Sequence, residues 1–312
     1  MRKALQRVRA NKGAPGVDGM CVNRLPAYLK RHWPKIKQAL LEGTYDPLPV
    51  LRKEIPKDTG GIRLLGIPTV LDRLIQQAVG QILQRIWDPV FSESSYGFRP
   101  ERGPQQAIRS AREYVANGYR YVVDLDLSKF FDRVHHDRLM SRLATRIHDK
   151  RVLKLIRSFL TAGVMIGGLE EPTYEGTPQG GPLSPLMSNV VLDELDKELE
   201  KRGLRFVRYA DDCVIYVKSR QAAQRVMGSV SRFLEKRMRL KVNRDKSAVG
   251  RPWDRKYLGF CMTNTRKRPM IRIHWKTIKR FRKRIREITS RNRGHSLSQV
   301  MKELMQYLNG WW

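Results

Sequence analysis

The stretch between Phe206 and Val217 limits the possible folds of this chain more than any other. It contains two runs rich in aromatic and β-branched residues, which are separated by Ala210, Asp211 and Asp212. Such runs favour strands, and a short polar break between them predicts a β-hairpin with two carboxylates at its tip. Adjacent acids at a tight turn repel each other unless a divalent cation neutralises them, which suggests a metal platform. Because aspartate is also a common turn residue, the pair alone leaves both interpretations open.

A second acidic strand end lies in residues 121–132. Here an apolar run carries acids at alternate positions, Asp124 and Asp126, and alternate residues of a strand point to the same face of a sheet. Two strand ends that each offer carboxylates match the needs of two-metal phosphoryl transfer, in which one ion activates a sugar hydroxyl and the other stabilises the leaving pyrophosphate. The pair of strand ends therefore predicts polymerase chemistry.

The net charge of the chain predicts a polyanionic partner. Its 62 Lys and Arg residues outnumber 30 Asp and Glu residues, which leaves a formal charge of +32. Such an excess favours RNA or DNA as the partner. The sequence has no apolar run of about eighteen residues and no signal-peptide pattern, so we expect no membrane contact and a cytoplasmic location. The three cysteines are widely spaced, which argues against disulfides and structural zinc.

An ordered set of motifs resembles the reverse transcriptases. In chain order it consists of Asp126, Phe131 and residues 177–185, 209–212 and 256–260. Within that superfamily, further stretches resemble the bacterial group II intron-encoded reverse transcriptase/maturases. These stretches are residues 11–19, 96–100 and 179–185. The resemblance covers nearly the whole chain.

This resemblance implies an α+β right-hand polymerase fold with fingers, a palm built on an antiparallel sheet, and the start of a helical thumb. We expect fingers and palm over residues 1–262, with an N-terminal extension and template-lid loop in residues 1–45. Residues 263–312 would form a partial basic thumb, and the terminal Trp311 and Trp312 suggest that the chain stops within it.

The implied activity is RNA-directed DNA polymerisation, which copies RNA into cDNA with two Mg²⁺ ions, for which Mn²⁺ can substitute. The implied partners are an RNA template, a DNA primer, dNTPs and structured intron RNA. A homodimer is compatible with the sequence.

The resemblance also assigns roles to individual residues. It assigns the metal site to Asp126, Leu127, Asp211 and Asp212. It assigns catalysis to the three aspartates and to Lys246, a candidate proton donor to pyrophosphate. It assigns the dNTP site to Lys57, Arg63, Leu127, Phe131 and Gln179. It assigns template and primer contacts to Tyr209, Gly180, Gly181, Tyr257, Leu258, Gly259, Arg280, Lys283 and Arg286.

Several of these residues also have an ordinary structural interpretation. In the family a bulky ring at Phe131 excludes the ribose 2′-hydroxyl, but a phenylalanine here could equally belong to the core. Lys57 and Arg63 flank the turn of a predicted hairpin over residues 50–67, which could be a solvated basic hairpin. Residues 177–185 could be a plain loop leading into a helix.

Periodic apolar residues predict helices at 26–41, about 71–86, 104–117 and 137–162. A further helix is predicted from Ser184, as N-cap, with Pro185 in its first turn, to Gly203. Towards the end of the chain, two more helices are expected, and the second begins with the capping-box spacing of Ser296 and Gln299. The first of these has an apolar stripe on one side and cations on the other, so it should pack on one face and touch phosphate with the other. Its stripe consists of Ile278, Phe281, Ile285 and Ile288.

Three other functions fit parts of the sequence. A viral-type RNA-copying RNA polymerase has the same palm, although Ala210 and the bulky Phe131 argue against it. A splicing cofactor that binds structured intron RNA, with polymerase activity secondary, fits the basic composition equally well. A related reverse transcriptase recruited to phage defence is the third alternative.

Overall fold

The computed structural model describes residues 1–56, 60–177, 180–265 and 268–311. The α-helices in these ranges are α1 (Arg2–Ala10), α2 (Leu25–Glu42), α3 (Val70–Trp87), α4 (Pro104–Ala116), α5 (His136–Ala144), α6 (Lys150–Thr161), α7 (Ser184–Lys201), α8 (Arg220–Arg232), α9 (Trp275–Ile288) and α10 (Leu297–Asn309). The strands are β1 (Val50–Pro56), β2 (Ile62–Ile67), β3 (Tyr121–Leu125), β4 (Val164–Ile166), β5 (Leu169–Glu171), β6 (Arg205–Tyr209), β7 (Asp212–Val217), β8 (Ala248–Gly250), β9 (Phe260–Met262) and β10 (Ile271–Ile273). Within these ranges, every helix is too short or too polar to cross a membrane.

The central sheet, which we call the palm sheet, has the strand order β6-β7-β3-β8 and is antiparallel throughout. Hairpin β6–β7 confirms the predicted pairing of the two runs around the aspartate pair. Strand β3 lies beside β7, with Leu125 opposite Cys213. This register brings the two acidic strand ends to the same edge of the sheet.

The palm sheet is buried on both faces, which explains why its strands are almost continuously apolar. On one face Val123, Leu125 and Ile215 join the main core with α7 and α8. On the other face Val122 and Val214 pack with α4 in a second core. The alternation along β3 assigns Asp124 to the side of Val122, and Asp126 lies one residue beyond the end of the strand.

A second sheet, which we call the fingers sheet, has the order β2-β1-β4-β5. Its β1–β2 hairpin matches the predicted one, with Ile55 opposite Arg63 and Pro56 opposite Ile62. Strand β4 joins β1 in parallel. The combination of an antiparallel palm sheet, helices packed on it and a separate fingers sheet confirms the α+β class.

Two predicted helix boundaries were wrong. The helical region 137–162 is broken into α5 and α6, because Asp149 caps α6 by accepting hydrogen bonds from the backbone N–H groups of Arg151 and Val152 at 2.8 and 3.4 Å. Helix α7 begins one residue early, with Leu183 at the cap position and Ser184 already helical. The Ser184 N–H donates to the Gly181 carbonyl at 3.2 Å, so the helical turn starts within the preceding loop.

The last described segment carries α9 and α10. The predicted stripe on α9 is used for packing, because Phe281 lies against Tyr307 and Trp311 with ring centroids 5.8 and 4.4 Å away. At the start of α10, the Ser296 hydroxyl accepts from the Gln299 N–H at 3.3 Å, which confirms Ser296 as the cap.

Candidate active site

The tip of hairpin β6–β7 is a two-residue turn. Tyr209 pairs with Asp212, which leaves Ala210 and Asp211 as its central residues. The φ of Ala210 is +57°, and the φ of Asp211 is not positive. A positive φ at the first central residue alone is the pattern of a type II′ turn. Glycine normally occupies the first central position, so an alanine there implies that surrounding contacts hold the turn in place.

Those contacts come from the loop that precedes α4. A Cβ atom added to Gly97 would lie 2.2 Å from the Ala210 nitrogen, so the backbone at residue 97 packs directly against the turn. The Gly97 carbonyl in turn accepts a hydrogen bond from the Asn189 side chain at 2.9 Å. The 96–100 motif of the sequence therefore supports the acidic turn from behind.

A buried arginine supports the turn from the side. The Arg208 side chain is fully buried and forms an ion pair with the equally buried Asp196 on α7 at 2.5 Å. Its Nη1 also donates to the Ala210 carbonyl at 2.8 Å. Sequence reasoning missed this pair, although an arginine between the apolar and aromatic residues of β6 was a signal that could have indicated it.

Asp126 follows the end of β3, and the register of β3 and β7 places it across from Asp212. Its backbone is fixed by residues that lie far along the chain. The Asp126 N–H donates to the Ser247 hydroxyl at 3.0 Å, and the Asp126 carbonyl accepts from the Asn243 N–H at 2.9 Å. The next residue, Leu127, is buried and bridges to Val242. No local pattern in the sequence indicates that Ser247 serves this purpose.

The carboxylates at this edge affect one another strongly. Burial, and then the charge of Asp126, raise the pKa of Asp211. Loss of hydration, followed by the charges of Asp211, Asp124 and Asp126, raises the pKa of Asp212 to about 6, although this residue keeps an exposed edge. Within the described residues, no three acidic, histidine or cysteine side chains already close around a common point. The site is therefore a crowded set of negative charges without a preformed metal cage.

Asp124 forms an ion pair with an arginine, whereas the ion pairs of the described residues do not include Asp126. One of its carboxylate oxygens accepts from Arg255 Nε and Nη2 at 3.0 and 2.6 Å. Arg255 also donates to the Lys246 carbonyl at 3.0 Å. An arginine therefore neutralises Asp124, which the resemblance does not assign to the metal site.

The predicted lysine does not stand out among the cations near the carboxylates. Lys246 is exposed. The lysine whose charge opposes the rise in the pKa of Asp212 is Lys256, which sequence analysis did not single out. The role of Lys246 stays a prediction.

Of the predicted dNTP contacts, Arg63 lies within electrostatic range of the acidic turn. Burial raises the pKa of Asp211, and the positive charge of Arg63 is among the effects that oppose this rise. Arg63 is exposed on β2, so its guanidinium is open to a ligand. Lys57 and Gln179 lie outside the described residues.

The two loop glycines lie between the fingers sheet and the palm. A Cβ atom at Gly180 would come within 2.7 Å of the Gly66 carbonyl oxygen on β2, and Gly180 has a φ of +127°. A Cβ atom at Gly181 would come within 2.8 Å of the Gln76 side-chain oxygen on α3. Gly180 therefore requires glycine, whereas a side chain at position 181 would only displace the end of the Gln76 side chain, and the loop bridges two parts of the fold.

Phe131 lies beside this loop and is half-buried, whereas Phe130 is only 3% exposed. The two rings meet edge to face with their centroids 5.3 Å apart. The Phe131 carbonyl accepts from the Thr177 N–H at 2.6 Å, which ties the phenylalanine to the loop. Phe130 is thus a core residue, and Phe131 keeps a free edge.

The predicted primer turn is a second tight hairpin. Tyr257 and Phe260 exchange backbone hydrogen bonds of 2.8 and 2.9 Å, and Leu258 and Gly259 both have positive φ. The Tyr257 ring is buried in the second core, so the exposed part of the turn is formed by its neighbours. The Gly259 carbonyl accepts from the His274 N–H at 3.0 Å and from the Thr277 hydroxyl at 2.9 Å, which joins the turn to the start of α9.

The cations of α9 lie along an open groove. Lys283 and Arg286 line it, as expected for nucleic-acid contacts, together with Lys279 and Arg282, which the sequence analysis did not single out. Trp275 lies at the start of this groove and is 61% exposed. Arg280, the third predicted cation, is not among the residues that line the groove.

Comparison with known proteins identifies the family. A model of the reverse transcriptase (RNA-dependent DNA polymerase) family matches residues 55–262, which is more than half of the chain. The chain therefore belongs to the reverse transcriptase family, and RNA-directed DNA polymerase is its enzyme class. A second model, the maturase-specific domain of group II introns, matches residues 278–312.

Relatives place the chain more narrowly. It is 36% identical over 280 residues to protein YkfC of Escherichia coli K12, across 77% of this chain and 74% of YkfC. It is 40% identical over 206 residues to the group II intron-encoded protein LtrA of Lactococcus lactis, across 66% of this chain and 34% of LtrA. The chain is thus of the bacterial group II intron-encoded type, as its motifs suggested, although it spans about a third of LtrA.

A solved structure confirms the fold. Telomerase from Candida albicans, in complex with a fragment of telomeric RNA, matches 86% of this chain and 54% of its own chain with a TM-score of 0.59. Because the sequence identity is 15%, this likeness concerns the fold alone. The predicted right-hand polymerase fold agrees with it.

Proposed function

We propose that this chain copies RNA into cDNA at the edge of the palm sheet, with an RNA template, a DNA primer and dNTPs as substrates. The observation that carries the proposal is the convergence of Asp126, Asp211 and Asp212 at this edge, with Arg63 within electrostatic range. Crowded carboxylates opposite a cation suit a reaction in which a triphosphate is cleaved beside bound metal.

The residues at this edge fit divalent cations. Carboxylate oxygens are the ligands that Mg²⁺ prefers, and a cation between them would relieve the repulsion that raises the pKa of Asp211 and Asp212. Asp126, Asp211 and Asp212, with the adjoining Leu127, would hold two Mg²⁺ ions, for which Mn²⁺ can substitute. Bound there, the ions supply activation of the primer hydroxyl and neutralisation of the pyrophosphate that leaves.

The surrounding residues would position the substrates. Arg63 would hold the triphosphate, since a guanidinium binds phosphate oxygens with paired hydrogen bonds. The free edge of Phe131 would border the sugar. The bare backbone at Gly180 and Gly181 would admit the nascent base pair closely. The turn at Leu258 and Gly259 would support the primer end, next to the cations of α9.

A purified chain can test this proposal by primer extension. RNA and DNA templates are combined with dNTPs or NTPs, and with Mg²⁺, Mn²⁺ or a chelator. We expect extension of a DNA primer on RNA with dNTPs, dependent on either metal. Extension with NTPs at equal efficiency would favour an RNA polymerase, and extension in the presence of the chelator would overturn the metal assignment.

A second function is favoured by the maturase-specific match over residues 278–312. We propose that the basic groove of α9 also binds structured intron RNA and that the chain assists splicing. An Asp211→Asn variant separates the two functions, because it should splice a group II intron RNA as the wild type does while it fails to extend primers. Loss of splicing in this variant would contradict an independent role.

A cytoplasmic location and a homodimer stay predictions.

A further inference from the structure

Arg208 occupies an unusual position for a charged residue. It lies within β6, two residues before the acidic turn, and both it and Asp196 have fully buried side chains. A buried ion pair is rarely retained for stability alone, because hydrophobic residues of similar volume often serve as well. A different reason for its presence is suggested by what the guanidinium contacts.

The guanidinium has five N–H donors, and all five are engaged. Nε and Nη2 donate to the two carboxylate oxygens of Asp196 at 2.7 and 2.5 Å, and Nη2 donates to the Ser95 hydroxyl at 2.8 Å. Nη1 donates to the Asn189 side-chain oxygen at 2.9 Å and to the Ala210 carbonyl at 2.8 Å. The side chain thus joins three segments: α7, the loop before α4 and the acidic turn.

The bond to Ala210 reaches the part of the turn that is under strain. Ala210 has the positive φ that usually requires glycine, and its carbonyl precedes Asp211 directly. Asn189 completes the junction from the other side, because its amide group donates to the Gly97 carbonyl and Gly97 packs on the Ala210 nitrogen. The turn is therefore held at its carbonyl by Arg208 and at its nitrogen by Gly97, and Asn189 links both supports.

We propose that Arg208 is a positioning residue for catalysis: its guanidinium fixes the turn so that Asp211 and Asp212 face Asp126 at the distance required by the metal ions. This inference rests on the proposed polymerase function. Asp196 holds the guanidinium in place, and Asn189, which lies on α7, couples the position of the turn to the position of that helix. Helix α7 begins just after the Gly180–Gly181 loop, so one rigid connection runs from the proposed base-pair contact to the carboxylates.

Arg208→Lys tests the proposal, because lysine keeps the charge for Asp196 and loses the planar fork of donors. Arg142→Lys is the matched control. Its side chain is 31% exposed and donates to the Asp193 carboxylate and to the Val190 carbonyl, and none of its described hydrogen bonds reaches Arg208, the partners of Arg208 or the acidic turn. Ser95→Ala is a milder variant that folds even if Arg208→Lys does not, since it removes a single hydroxyl partner.

The readouts are Mn²⁺ binding to the chain by electron paramagnetic resonance, amide hydrogen exchange of the turn, and the Mg²⁺ dependence of primer extension. For Arg208→Lys we expect about 10–100-fold weaker metal binding, as for other residues that orient metal ligands. Exchange at residues 209–213 should accelerate, and the Mg²⁺ concentration for half-maximal extension should rise by a similar factor. Ser95→Ala should shift each quantity in the same direction by less, and Arg142→Lys should shift none.

Wild-type metal affinity and turn exchange in both Arg208→Lys and Ser95→Ala would overturn the inference, as would equal shifts in Arg142→Lys. These outcomes are separate from failure of the proposed function, which would show as a wild-type chain that extends no primer. Metal binding and hydrogen exchange would still report on Arg208 in that case.

Discussion

Two ion pairs show how differently the palm and the predicted thumb, residues 263–312, are built. In the palm, Arg208 and Asp196 are 2.5 Å apart and completely buried. In the thumb, Lys283 and Glu287 are 3.8 Å apart, and their side chains are 78% and 45% exposed. The palm pair has fixed partners on every side, whereas the thumb pair is loosely held in solvent. We infer that palm residues act through their position and thumb residues through their number of charges.

The largest effect is expected at the carboxylates of the palm, and its absence would contradict this comparison. Asp211→Asn or Asp126→Asn removes a negative charge that would bind the metal ions. Metal ions stabilise the transition state by several kcal/mol, so the loss should lower the rate by about three decades. Extension should be abolished while RNA binding, measured by fluorescence anisotropy, remains. Asp137→Asn, which changes the same charge at a side chain that is 70% exposed, should keep full activity. Full activity of either site variant would remove the metal assignment.

The two ion pairs can be compared directly by stability. Asp196→Ala leaves the Arg208 guanidinium buried without its counter-charge, which should lower the free energy of unfolding by about 3–5 kcal/mol. Glu287→Ala at the exposed thumb pair should lower it by less than about 1 kcal/mol. Urea unfolding of the two variants measures both values. Similar values would show that burial does not distinguish the two regions.

The half-buried ring of Phe131 tests whether the position of one side chain decides which sugar is accepted. If its free edge closes the sugar site, a 2′-hydroxyl overpacks the site at about 1–3 kcal/mol, or roughly one to two decades in rate. Phe131→Val should raise kcat/KM for ribonucleotides relative to deoxynucleotides by about that factor. Phe130→Leu, which changes the neighbouring buried ring, should lower stability and leave the ratio as it is. An unchanged ratio in Phe131→Val would mean that the sugar is selected elsewhere.

The thumb should respond gradually and in a salt-dependent way. Replacing Arg280, Lys283 and Arg286 with glutamine should make the slope of log affinity against log salt less steep by up to about 0.9 for each lost phosphate contact on duplex, and about 0.7 on single strands. A control set of exposed palm cations, Arg225, Arg232 and Lys236, changes the net charge equally. Equal slopes in the two triple variants would show that general charge, and not the thumb helix, binds the nucleic acid.

The smallest expected effect is a pH dependence of the carboxylate edge. The pKa of Asp212 is about 6 in the folded chain and 3.8 as its reference value, so the folded state binds the extra proton between these values. Without metal, stability should therefore fall as pH rises from about 4 to 6. Added Mg²⁺ should oppose this loss, and Asp212→Asn should reduce it. Thermal unfolding of the wild type and of Asp212→Asn across this range, with and without Mg²⁺, provides the measurement, and an identical pH dependence of the two proteins without Mg²⁺ would contradict the raised pKa of Asp212.

The parts of the site that the sequence predicted are those encoded by local patterns. Three elements are each visible within a single short stretch of sequence, because strand periodicity and turn residues act locally. They are the hairpin around Asp211 and Asp212, the strand before Asp126 and the hairpin that carries Arg63.

The supports of the site could not be predicted in the same way. Ser95, Asn189 and Asp196 meet Arg208 only after the chain has folded, and Ser247 meets Asp126 across 121 residues. The difference between Asp124 and Asp126 likewise depends on Arg255, which lies 131 residues from Asp124. These pairings follow from tertiary packing, and no local preference indicates them.

The hydrogen bonds at Gly259 limit where this polymerase can be divided to build chimeras. The boundary expected from the sequence, after residue 262, would separate β9 from its partner β10 and would leave the Gly259 carbonyl without the His274 and Thr277 donors. A segment exchanged at that boundary would lose the hydrogen bonds that join the start of α9 to the turn at Leu258 and Gly259. A transplanted cassette should instead begin before residue 257, so that the turn, the small β9–β10 sheet and the first turn of α9 move into the new host as one module.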